Sequence, residues 1–126
     1  MHSFTLAAIC ALATLATAET GRAIVNNNCD FPVYVWSVGS EVSYGGEIAT
    51  GKSFTEDLVR DPVTGGLAIK VTTVEDGLYN GAPQTNFAYT LDPEQVWYDL
   101  SDVFGSPFDG HAVVLEPTDE DCDSIV

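Results

Sequence analysis

Beyond residue 18 the chain alternates between apolar and polar positions in short runs. No segment there keeps an i, i+3, i+4, i+7 apolar spacing for more than about a turn. Over residues 67–74, Leu67, Ile69 and Val71 face one way, while Ala68, Lys70 and Thr72 face the other. Phe87, Tyr89 and Leu91 alternate with Asn86, Ala88 and Thr90 over residues 85–91. Over residues 96–101, Val96, Tyr98 and Leu100 alternate with Trp97, Asp99 and Ser101. Residues 33–38 are apolar on both sides, the pattern of a strand covered on both faces. Residues 22–26, 53–58 and 111–115 complete a set of seven short strands. Turn chemistry separates them at Gly45-Gly46, Asp61-Pro62, Gly65-Gly66, Asp76-Gly77, Asn80-Gly81, Asp92-Pro93, Ser106-Pro107 and Asp109-Gly110. Short strands with turn signals between them predict an all-β antiparallel sandwich or barrel in one domain, without internal repeats.

The first eighteen residues read differently. An apolar run from Phe4 to Ala16 ends in Ala16-Thr17-Ala18 and gives way at once to Glu19-Thr20-Gly21. That is the hydrophobic region and small-residue cleavage site of a secretory signal peptide, although its amino-terminal end carries only His2. The run is shorter than the roughly 20 residues a spanning helix needs. No second segment reaches that length, so no membrane insertion is expected once residues 1–18 are removed. The domain expected to remain is residues 19–126, with Cys29 and Cys122 left of the three cysteines. In an oxidising compartment two cysteines allow one connectivity, a Cys29–Cys122 disulfide. Closing so long a loop would stabilise by roughly 4–5 kcal/mol in the chain-entropy account.

Charge narrows the partners. The chain has 4 Lys+Arg against 19 Asp+Glu, a net charge of −15, all of it after residue 18. Such a surface repels phosphate backbones and anionic lipids, so nucleic acid is excluded as a partner. Neutral glycans, cationic polymers and metal ions remain. Hydrophobic residues make up 45% of the chain, enough to build a core and too many for a disordered one.

Several stretches carry a family resemblance. Ala23 to Cys29, followed by Phe31 to Trp36, resembles the opening of a thaumatin-like domain, and Val96 through Gly105 resembles a later segment of that family. More closely, Pro32 to Gly39, Arg60 to Gly66 and Val96 to Gly105 are similar to the small fungal secreted Blastomyces yeast-phase-specific proteins, which are thaumatin-like. The resemblance implies a thaumatin-like β-sandwich, secretion, and association with a cell wall or a host surface. Larger thaumatin-like proteins carry an acidic cleft that binds, and in some members hydrolyses, β-1,3-glucan. Asp99 stands where that family places one cleft aspartate. The second does not carry over, because its place is taken by Phe104 and the nearest acid is Asp102. Members usually continue past the equivalent of Ile125-Val126 with further cysteines and a closing strand. A short isoform, a truncated gene model, or a form in which Cys29 and Cys122 pair with each other all stay open.

Candidate chemistry is sparse. After cleavage one histidine remains, His111, and no Gly-x-Ser-x-Gly elbow accompanies it. One His and two cysteines do not make a zinc set, and residues 119–123 lack the glycine and spacing of an EF-hand loop. No cofactor and no metal are expected. Hydrolysis by Asp99 and Asp102 would require a bend after Ser101, since residues three apart on a strand leave opposite faces. Glycan binding needs an aromatic face with polar groups beside it. The row Trp97, Asp99, Ser101, with Asp102 close by in sequence, is the best site of that kind. The expectation is a non-enzymatic secreted protein binding a neutral wall polysaccharide such as β-glucan. The alternatives are an endo-β-1,3-glucanase using the acidic face, and an effector or adhesin recognising a host surface protein.

Overall fold

A computed structural model describes residues 4–8 by their backbone, and residues 21–93 and 95–117. Among these are nine strands: β1 (Phe4–Ala8), β2 (Arg22–Asn26), β3 (Val33–Val38), β4 (Val42–Ile48), β5 (Ser53–Asp57), β6 (Gly66–Thr72), β7 (Gln84–Leu91), β8 (Val96–Val103) and β9 (Val113–Pro117). One short helix, α1 (Gly77–Asn80), lies between β6 and β7. Sheet A has the order β5-β2-β1-β9 and sheet B the order β4-β3-β6-β7-β8. Every pairing is antiparallel except that of β1 with β2.

The expected alternation determines which side chains meet. Val33 and Val35 of β3, Ile69 and Val71 of β6, and Phe87 and Tyr89 of β7 turn inward and meet Ala23 and Val25 of β2 and Leu115 of β9 in one cluster. Val96, Tyr98 and Leu100 of β8 pack against its margin, half-buried. The chain is an all-β sandwich, as the alternation predicts.

Three expectations are corrected in detail. Gly45-Gly46 is not a turn: it lies inside β4, where the β3 register slips between Val35 and Trp36 and leaves a bulge. A Cβ on Gly45 would stand 2.6 Å from Phe54 Cε1 and 2.8 Å from Val35 Cγ1, so the close approach of β5 and β3 requires glycine there. Asp76-Gly77 and Asn80-Gly81 bracket α1 rather than two separate turns; Gly81, at φ 75°, ends it in the left-handed conformation. On β3 only the centre is covered on both faces. Val33, Val35 and Trp36 are buried, while Tyr34, Ser37 and Val38 are half-buried.

Of the expected signal peptide, only Phe4–Ala8 falls among the described residues, as a strand between β2 and β9. Cys10, Cys122 and residues 119–123 lie outside them.

Candidate functional site

The face of sheet B turned away from the core carries the candidate site. On β8, Trp97, Asp99 and Ser101 all point outward and are exposed. Across the ladder Trp97 stands opposite Thr90, Asp99 opposite Ala88, and Ser101 opposite Asn86. One strand further, Thr90 meets Gly66, Ala88 meets Ala68, and Asn86 meets Lys70. The small residues Gly66, Ala68 and Ala88 leave a trough between the taller side chains. It opens into a cleft of about 480 Å³ whose walls include Trp97, Asp99, Thr64, Leu67 and Val38.

Trp97 is 60% exposed, which is unusual for the largest apolar side chain. Its indole is nonetheless fixed. Nε1 donates to Asp92 Oδ2 at 2.9 Å, and Asp92 Oδ1 is paired with Arg60 Nη1 at 3.1 Å. Arg60 also donates to the Leu91 carbonyl at 3.3 Å. The ion pair is exposed and adds little stability by itself, but it orients the carboxylate that holds the ring.

The loops at that end of the trough are tied together by Asp61. Oδ1 accepts from Ser40 N at 3.0 Å and Ser40 Oγ at 2.9 Å. Oδ2 accepts from Val63 N at 3.0 Å, Thr64 N at 2.7 Å and Thr64 Oγ1 at 2.9 Å. The Thr64 and Ser40 backbone N–H groups, helped by the two hydroxyls, hold this carboxyl well below the usual carboxylate range. Gly39 lies against it: a Cβ there would stand 2.6 Å from Asp61 Oδ1 and 2.5 Å from Leu67 Cδ2.

Further along the trough the floor becomes polar. Lys70 Nζ donates to Gln84 Oε1 at 3.1 Å, and partial burial lowers the lysine pKa. Asn86 is buried with an Oδ1 that has no hydrogen-bond partner.

Asp102 does not join this row. β8 runs straight on to Val103 without bending after Ser101, so Asp102 leaves by the inner side. There Oδ1 accepts from Thr85 Oγ1 at 2.7 Å and Oδ2 from Ser106 Oγ at 3.0 Å. Asp99 and Asp102 therefore stand on opposite faces and do not form a hydrolytic pair. Phe104 is 66% exposed and held at φ 62°. His111 is exposed and packs edge-on against Phe31, ring centroids 5.5 Å apart. Cys29 is fully buried within the loop between β2 and β3, beside Asn27, whose Oδ1 accepts from the Cys29 N–H at 2.9 Å.

Sequence reasoning puts Trp97, Asp99 and Ser101 on one row, where the structure also has them, but misses what supports them. The only sequence sign of the trough is that Ala68 and Ala88 fall on the non-core side of their strands. Nothing in sequence links Asp92 to Trp97 or Asp61 to Ser40.

Fold and site together define a class: an all-β sandwich domain whose candidate site is an open sheet face edged by an anchored tryptophan. The chain matches the family described as Blastomyces yeast-phase-specific protein over residues 9–126, and it belongs to that family. It is 36% identical over 135 residues to the antigenic thaumatin-like protein of Arthroderma benhamiae, covering 100% of this chain and 66% of that one. To the secreted thaumatin-like protein calA of Emericella nidulans it is 28% identical over 127 residues, covering 90% of this chain and 72% of the relative. The chain thus spans about two thirds of the length of these relatives. No solved structure matches it. This is a fungal thaumatin-like protein of extracellular localisation.

Proposed function

We propose that the outer face of sheet B binds a neutral cell-wall polysaccharide such as β-glucan, without hydrolysing it. The observation that carries the reading is Trp97: a large indole face in solvent, its edge held by Asp92, beside a trough floored by glycine and alanine. A sugar ring presents C–H groups on one face and hydroxyls around its rim. The indole and the small-residue floor suit the first, and Asp99 and Ser101 suit the second through charge-assisted and neutral hydrogen bonds. From Trp97 to Ser101 is four residues, roughly 13 Å of extended strand, long enough for more than one sugar unit. A neutral polymer is also a wall component that a net charge of −15 does not repel. In this reading residues 1–18 direct export and are removed, and Cys29 pairs with Cys122.

The test is depletion of the secreted protein from solution by particulate β-1,3-glucan, with chitin and cellulose alongside and reducing sugar measured in the same tubes. Saturable depletion by the glucan with no sugar released is expected. No depletion by any of the polymers contradicts the reading, and sugar release that grows with time replaces it with a glucanase.

A further inference from the structure

A second concavity lies on the same outer face, toward the β4 edge and away from Trp97. Its volume is about 210 Å³, and Trp36, Tyr44, Glu75, Asp76 and Tyr79 line it. Tyr44 on β4 stands opposite Trp36 on β3, with ring centroids 5.2 Å apart and planes at 40°. The segment after β6 is drawn down onto this pair, because Gly77 packs so closely on Thr72 that a Cβ would stand 2.5 Å from its Oγ1. That brings Tyr79, 72% exposed, and the carboxylates of Glu75 and Asp76 around the two rings. Tyr44 is itself 54% exposed, whereas Trp36 is buried at the base.

The two charged groups that line it, Glu75 and Asp76, are both acidic, and Lys70, opposite Trp36 on β6, donates to Gln84 instead. Among the described residues no Lys or Arg forms an ion pair with Glu75 or Asp76. Asp76 precedes α1 yet makes no side-chain capping bond, so its carboxylate is not used by the helix. The Tyr44 hydroxyl is pushed above its ordinary pKa by desolvation first and then by Glu75, Glu47 and Asp76. Tyr34 is shifted the same way by desolvation, then by Glu47 and Glu75.

Ring faces and carboxylates together select cations, since both present negative potential. A bare metal ion is poorly served: hard cations take six or more oxygen ligands, and among the described residues no group of three His, Cys, Asp or Glu is placed to hold one. An organic cation needs no such shell. It sheds part of its water against the rings and keeps its charge beside the acids.

We propose that this pocket binds an alkylammonium group, seated against Trp36, Tyr44 and Tyr79 and neutralised by Glu75 and Asp76. Such a group comes from a lysine side chain of a partner protein or from a small free quaternary amine.

The test is an NMR titration of the full chain at constant ionic strength, with three probes: Nα-acetyl-lysine methylamide, tetramethylammonium, and the neutral Nα,Nε-diacetyl-lysine methylamide. The two cations should give saturable shifts confined to the Trp36 indole and the Tyr44 and Tyr79 signals, and the neutral analogue none. Tighter binding of the lysine probe marks a protein side chain as the source, and tighter binding of tetramethylammonium marks a free amine. Tyr79→Ala, and separately Glu75→Gln with Asp76→Asn, should each weaken binding about three- to tenfold, the range of single cation–π and ionic contacts at a partly exposed site. Neither change touches the core. Shifts spread over the whole acidic surface, equal shifts with the neutral analogue, or unchanged affinity in both variants overturn the proposal. Trp97→Ala should leave this titration unaltered, so failure here does not touch the polysaccharide reading.

Discussion

At the scale of single residues, the row Trp97, Asp99, Ser101 is legible in the sequence because β8 alternates without interruption, and Val96, Tyr98 and Leu100 claim the inner side. Asp102 is close to that row in sequence, yet on a strand that runs straight through it residues three apart leave opposite faces. The supporting residues are illegible for a different reason: Asp61 reaches Ser40, and Asp92 reaches Arg60, only when turns distant in sequence meet, and the Asp92 bond to Trp97 depends on the shape of the turn between β7 and β8. Asp92→Ala frees the Trp97 indole, and polysaccharide retention should fall about two- to fivefold with little change in stability, as expected for an exposed pair. Asp61 gives a pH signature. Its folded pKa lies below the unfolded value of about 3.9. Its contribution is therefore complete above that value and lost as pH falls through the folded pKa. Thermal midpoints of the protein and of Asp61→Asn should differ most at neutral pH and converge toward pH 2. A gap that stays constant would contradict the hydrogen-bond account. Phe104, left-handed and largely exposed, should yield up to about 1 kcal/mol of stability as Phe104→Gly, measured by urea unfolding.

At the scale of elements, all seven expected strands agree with observed ones to within about two residues at each end, the one expected at 67–74 running from Gly66 to Thr72. Residues 67–74, 85–91 and 96–101 carry a clear apolar alternation, and residues 33–38 an apolar run. β4 is missed because Gly45-Gly46 interrupts its pattern, and in sequence a bulge and a turn present the same two glycines. Gly45→Val should destabilise by about 1–3 kcal/mol through overpacking against Phe54 and Val35. A neutral outcome in urea unfolding would mean the strands do not approach as described. β1 poses the converse case, since Phe4–Ala8 reads as part of an export signal and pairs with both β2 and β9. Sequencing the amino terminus of the exported protein should read Glu19-Thr20-Gly21, whereas a start ahead of Phe4 would make β1 a permanent strand. Removal of β1 would cost β2 and β9 a ladder each. The thermal midpoint of residues 19–126 should accordingly lie below that of the full chain.

At the scale of the whole molecule, the two proposals rest on two features of one sheet face. Near β8 an anchored tryptophan borders a trough of small residues, and near β4 aromatic rings meet carboxylates. The acidic composition is compatible with both, because a neutral sugar is not repelled by it and an ammonium group is attracted. Polysaccharide binding rests on Trp97, and a depletion isotherm on particulate β-1,3-glucan for the secreted protein and for Trp97→Ala, with urea unfolding of both, decides it. An unchanged unfolding midpoint with retention reduced at least about tenfold, the equivalent of roughly 1.4 kcal/mol, is the predicted result. Equal retention by the two proteins would contradict the account and remove Trp97 from the function.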